Sequence, residues 1–256
     1  MFEYGALSVA SDVAFWSLGL ANPNYPVEQL GQLSLEISSK FRTLAIIQLL
    51  TEGSTDLFLH NLMRSGRARE TYLKRILHAR LPDDHHRASG RYRPLLDAIA
   101  ANHLVGARHI TQLVPSHFRA WHEYEDDYCY AQLLARLISD QPVPEAELEA
   151  LLQQFDAWLD GVIDARYLVC KALVERDQAA FAAAFEDVLL AHEMAIEADS
   201  ARHRHEDDEF RAEKLVSIEG LALLRIAELR GLQTATHYRY CPSLARLPMR
   251  HPFPAV

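Results

Sequence analysis

A chain of 256 residues, 49% hydrophobic and 24% charged, is long enough to bury a sizeable core and has the composition of a globular protein, which argues against wholesale disorder and a membrane-embedded bundle. Its 35 acidic against 26 basic side chains leave a net charge of -9. Bulk electrostatics therefore do not attract nucleic acid or an anionic membrane, neither of which is expected as a partner, and they favour a basic protein instead.

No Lys or Arg precedes Lys40, and Glu3 and Asp12 interrupt the first apolar stretch, so the amino terminus lacks the features of a secretory signal. From Glu28 onward, Leu30, Leu33, Ile37, Phe41 and Leu44 recur at steps of three and four. This predicts a helix to about Thr51, ended by Gly53 and Ser54. Leu44 to Leu50, the densest apolar run, is interrupted by Gln48 and falls far short of the ~20 residues that span a bilayer. A second helix is predicted over Thr55 to Met63, a break at Ser65-Gly66, and a third helix over Ala68 to Ala79. The segment LPDDHHRASG from Leu81 to Gly90 reads as a polar loop.

Further on, Ala98-Ile99-Ala100-Ala101-Asn102-His103 is weakly similar to Ala172-Leu173-Val174-Glu175-Arg176-Asp177. Each is read as a short helix ending in a polar turn, followed by a second helix over Leu104 to Val114 or Gln178 to Leu190, that is, an αα-hairpin. Other helices are expected over Ala120 to Ser139, Pro144 to Leu159, Asp164 to Glu175 and Asp207 to Leu229, with Gly231 closing the last. No run of alternating strands is found. The expected fold is all-α, with antiparallel helix pairs stacked in one domain over 1–256. Residues 233–256 hold Pro242, Pro248, Pro252 and Pro254 and should form an extended tail packed through Tyr238, Tyr240, Leu244, Leu247 and Phe253.

Chemistry is sparse. No HExxH, Walker, Gly-rich dinucleotide or GxSxG pattern occurs. Asp83-Asp84-His85-His86 and His203-Arg204-His205-Glu206-Asp207-Asp208-Glu209 offer metal-ligand types, but each lies beside a turn where solvated charge is the plainer explanation. Cys129, Cys170 and Cys241 are odd in number and outside any CxxC spacing, which points to a reducing compartment, and the cytoplasm is the expected location. Cys170 falls on an apolar face, as an inert thiol would. No catalytic residue, cofactor or metal is expected.

The sharpest cluster is Trp121-His122-Glu123-Tyr124-Glu125-Asp126-Asp127-Tyr128-Cys129-Tyr130. If it is helical, Glu123 and Asp127 project within about 40° of each other, towards the side that carries Leu134 and Ile138. Two readings stand. Acids in a first helical turn complement the helix dipole without any function. Alternatively Trp121, Glu123, Tyr124, Glu125, Asp126, Asp127 and Tyr128 form a protein-binding patch, the aromatics giving rigid contact area and the acids steering a basic partner. The same choice applies to Glu206, Asp207, Asp208 and Glu209 at the next acidic helix start.

The block Glu123-Tyr124-Glu125-Asp126-Asp127-Tyr128-Cys129-Tyr130, with Asp97-Ala98-Ile99-Ala100-Ala101, Val169-Cys170-Lys171-Ala172-Leu173, Phe181, Phe185, Glu219 to Glu228 and Tyr240-Cys241-Pro242, resembles the immunity protein 49 family of bacterial polymorphic-toxin systems. The resemblance spans roughly Phe41 to Pro242 and leaves the first ~30 residues unassigned. It implies an all-α, non-enzymatic protein that binds a cognate toxin, a secreted effector expected to present a basic cleft, and occludes its active site in the producing cell. The alternatives are a helical-repeat adaptor, for which the regular 34-residue spacing is missing, and a metal enzyme with ligands between helices, for which the acids sit in the wrong places.

Overall fold

The computed structural model describes residues 3–80, 84–202 and 207–254. Among them are eleven α-helices and no strand, only an isolated bridge between Tyr238 and Cys241. The two longest early helices, α2 (Val27–Glu52) and α3 (Thr55–His78), form the central hairpin. Gly53 turns the chain at φ 63°, returning its N–H to Leu49, and the Ser54 hydroxyl accepts from Leu57 N to start α3. A helix over the unassigned amino-terminal residues, α1 (Glu3–Ala21), lays Val9 and Val13 against α2.

The predicted break at Ser65-Gly66 does not occur, because both residues serve a contact with the next pair, α4 (Arg93–Ala100) and α5 (Leu104–Leu113). The Ser65 hydroxyl donates to Asp97, and a Cβ on Gly66 would stand 3.1 Å from the Cβ of Ala98. Small residues here let two helices approach; they do not stop one. Of the LPDDHHRASG segment, residues 81–83 lie outside the described residues, and the rest holds a 3-10 turn at His85–Arg87. The buried Arg69 of α3 clamps it by donating to the carbonyls of His86 and Ala88. A Cβ on Gly31 of α2 would fall 2.5 Å from the His86 Cβ. Gly31→Ala should therefore overpack this junction and lower stability by about 1–3 kcal/mol, read as a lower urea midpoint at unchanged slope; an unchanged midpoint would contradict the close approach.

The remaining helices are α6 (Glu125–Leu137), α7 (Glu145–Leu159), α8 (Ala165–Glu175), α9 (Gln178–Arg202), α10 (Asp208–Glu213) and α11 (Ile218–Leu229). The weak internal similarity is a shared helix stop. Asn102 at φ 54° and Arg176 at φ 55° are both left-handed, and the next N–H reaches back to Ala98 O at 2.9 Å and to Ala172 O at 3.0 Å. Each stop lies between the two helices of a packed pair, α4 with α5 and α8 with α9. Asp164 caps α8 through the N–H groups of Arg166 and Tyr167, and Gly231 at φ 82° closes α11.

Three boundaries differ from expectation. Helix α6 starts at Glu125, not Ala120, because Trp121 adopts φ 70°, a left-handed backbone that ends helical continuity. The helix predicted over 207–229 is two, since Ser217 accepts from Gly220 N and starts α11 afresh. Helix α9 runs to Arg202, well past Leu190. In the tail, Tyr238, Leu244 and Phe253 pack on the core, whereas Leu247 is exposed and residues 243–246 form a 3-10 turn. The tail is held by Asp56, which accepts from Arg250 N and His251 N. No helix among the described residues is long and apolar enough to cross a membrane.

Candidate functional site

A buried polar knot fixes the start of α4, from which the candidate site is hung. Asp97 is 1% exposed and accepts from Arg42 Nε of α2 at 2.6 Å and from Ser65. Arg42 also donates to the Arg93 carbonyl at 2.6 Å and lies 3.6 Å from Glu213 of α10. Burial pushes the Asp97 carboxyl above its ordinary range, while Arg42 pulls it back. Burial likewise disfavours the Arg42 charge, but Asp97 and Glu213 more than offset it and its pKa is raised.

On one side of this knot stands the acidic and aromatic block. Asp127 on α6 accepts from the Tyr92 hydroxyl at 3.2 Å and from Arg166 of α8 at 3.1 Å; Arg166 also reaches Asp126 at 3.2 Å and Tyr92 at 2.7 Å. Burial pushes the Asp127 carboxyl up against the opposing pull of Arg166. Glu123 lies before the helix, not on it, yet like Asp127 it packs on Gly90: a Cβ there would sit 3.2 Å from the Glu123 Cβ and 3.1 Å from the Asp127 Cβ. Its Oε2 accepts from Ser89 Oγ at 2.9 Å and from Gly90 N at 2.7 Å, while its buried Oε1 has no donor.

These bonds hold the 121–125 turn around a cavity of about 490 Å³ lined by Gly90, Arg91, Phe118, His122 and Glu123 together with Trp121, Tyr124 and Glu125. Trp121 is 100% exposed and Tyr124 75%. Tyr128 departs from the expected surface patch. It is buried, donates to the Ser116 carbonyl at 2.9 Å, and packs edge-on against Phe118 behind the cavity wall. The block therefore divides into a supporting part, Glu123, Asp126, Asp127 and Tyr128, and a presented part, Trp121, Tyr124 and Glu125.

The chain matches the family model for immunity protein 49 over residues 39–245. It belongs to that family. No match is found among curated proteins or among solved structures. The immunity protein 49 region takes in α3 to α11, the buried knot and the whole cavity, and it begins within α2, so that α1 lies outside it.

Within the family region, the second acidic stretch is engaged differently. Asp207 caps α10 by accepting from Phe210 N at 2.8 Å, Asp208 faces Gly5 of α1 and lies 3.8 Å from Arg211, and Glu209 lies 3.9 Å from Arg93. Glu206 lies outside the described residues, as do His203, His205 and Asp83 of the metal candidates. Asp84, His85 and His86 do converge, with ligand-type atoms within 4.8 Å of one another. The Asp84 carboxylate is already committed, to His86 N at 2.9 Å and the Tyr72 hydroxyl at 3.0 Å, and it works as the cap of the 3-10 turn.

All three cysteines are buried, and burial pushes the Cys129 and Cys241 thiols up to about 12 and Cys170 up as well. None should react with a disulfide reagent at pH 8 until the chain unfolds, when all three should; a thiol titrating in the native protein would contradict this burial. Sequence reading missed Arg91, Phe118 and His122 as cavity residues and Arg166 as the anchor of the acids. Gly90, a lone glycine ending a polar loop, was the available signal, since the block packs where its side chain would be.

Proposed function

We propose that this protein is the immunity partner of a bacterial toxin, made in the same cytoplasm, and that it neutralises the toxin by binding it and occluding its active site, without catalysis of its own. The observation that carries the reading is the family membership over residues 39–245. The proposed contact face is the turn at 121–125, with the supporting acids behind it. A tryptophan and a tyrosine held in water on a rigid scaffold suit the anchoring role that such residues take in protein interfaces. The net charge of -9 suits a partner with a basic cleft and speeds its capture. The turn is fixed from below by Glu123 and Asp127, so little ordering cost is added on binding.

The second acidic stretch, Asp207, Asp208 and Glu209, is assigned a supporting place at the rim, where it adds field and little direct contact. The experiment is size-exclusion chromatography of the purified protein with the carboxy-terminal domain encoded by the adjacent upstream gene, followed by assay of that domain's activity. Co-elution with loss of toxin activity is expected. Separate elution, or a complex that stays fully active, would contradict occlusion.

A further inference from the structure

Building on that contact face, we propose that the cavity bordered by Trp121 receives one arginine side chain of the partner, its guanidinium lying against the aromatic rim and bonded to the carboxylates of Glu123 and Glu125.

Charge selects this occupant. The lining holds three carboxylates, Glu123, Glu125 and Asp127, against the single guanidinium of Arg91. Asp127 is neutralised from behind by Arg166. Glu125 is exposed and has no hydrogen bond or ion pair among the described residues. Glu123 is fixed by two donors on Oε2 and lacks any on Oε1. A buried acceptor without a donor is a standing cost, and a turn of the Glu123 carboxylate toward the cavity it lines would let an incoming N–H group relieve it.

Shape selects it as well. Trp121 and Tyr124 flank the same opening, with Phe118 in its wall, and a planar guanidinium both stacks on such rings and presents a fork of donors to carboxylates. About 490 Å³ is ample for one arginine side chain with water. Arg91 also lines the neighbouring cavity of about 230 Å³ with Ser38, Ser39 and Asp97, which gives it room to turn away when a second guanidinium enters.

The test needs no toxin. N-acetyl-arginine amide is titrated into the full chain, with N-acetyl-citrulline amide as its neutral isostere, and the indole N–H signals are followed by NMR. Trp121→Gly assigns one of the three tryptophan signals. The arginine derivative should move the Trp121 signal saturably, with a dissociation constant on the order of millimolar, and leave Trp16 in place. Citrulline should bind at least about fivefold more weakly, and Glu125→Gln should weaken arginine binding by about three- to tenfold with the rest of the spectrum unchanged. No saturable movement, equal response to citrulline, or full binding by Glu125→Gln would overturn the proposal. Failure here with toxin binding still sensitive to Trp121→Gly removes the arginine anchor and keeps the face. Success here with toxin binding indifferent to Trp121→Gly removes the face.

Discussion

Replacing Asp97 with alanine is expected to lower stability by about 3 kcal/mol, because it removes the nearer of two carboxylates from the buried Arg42 guanidinium and leaves it only Glu213, 3.6 Å away. The pair is deep, with side-chain exposures of 6% for Arg42 and 1% for Asp97, and Ser65 completes the shell around the acid. Removing Asp97 alone leaves a buried charge under-compensated; removing both members need not. Arg42→Met with Asp97→Leu should recover most of the loss, since an apolar pair of similar volume escapes the desolvation cost that the ion pair carries. Urea unfolding of the three variants checks this. A loss below about 1 kcal/mol for Asp97→Ala, or no recovery in the double variant, would contradict the account of the knot. The consequence extends to the site, because Arg42 holds the Arg93 carbonyl and the adjacent Tyr92 holds Asp127.

Trp121→Gly is expected to have opposite effects on folding and on function. A tryptophan at φ 70° stands in a conformation that costs a bulky residue on the order of 1–2 kcal/mol, and its side chain, fully in water, returns nothing to the fold. Glycine adopts that conformation freely, so stability should hold or rise by up to about 1 kcal/mol after the entropy of the more flexible unfolded chain is counted. Toxin binding should weaken by about 30-fold or more, the loss of an anchoring aromatic of at least about 2 kcal/mol. Thermal unfolding and titration calorimetry measure the two sides. A destabilised variant would show that Trp121 packs on something, and a variant that binds normally would move the interface elsewhere.

Much of the helical order was legible because it is written in local signals. Pro144 before α7, Asp164 before α8, the Gly53-Ser54 junction and Gly231 all act within one turn of where they stand in the chain. Even the weak similarity at 98–103 and 172–177 proved local, a backbone stop repeated at Asn102 and Arg176. What could not be read is set through space. Ser65-Gly66 looks like a breaker until Ala98 and Asp97 are placed against it. The inward reach of Glu123 and Asp127 was anticipated for a helical reason that Trp121 removes; the real reason is Gly90, thirty-odd residues earlier in the chain. Arg166 and Arg91 carry no mark in their own neighbourhoods, so their parts in the site appear only when α8 and the loop before α4 meet α6.

The central claim, that this chain protects a cell from a toxin through the face at Trp121, is tested most directly by growth rescue. The carboxy-terminal domain of the adjacent upstream gene's product would be expressed as the candidate toxin in a bacterial cytoplasm that lacks any immunity protein, alone, with the wild-type chain, and with Trp121→Gly at equal soluble levels. The account predicts death alone, survival with the wild type, and death or strongly slowed growth with Trp121→Gly. Survival with both chains would contradict the assigned face, and death with both would contradict immunity against that toxin.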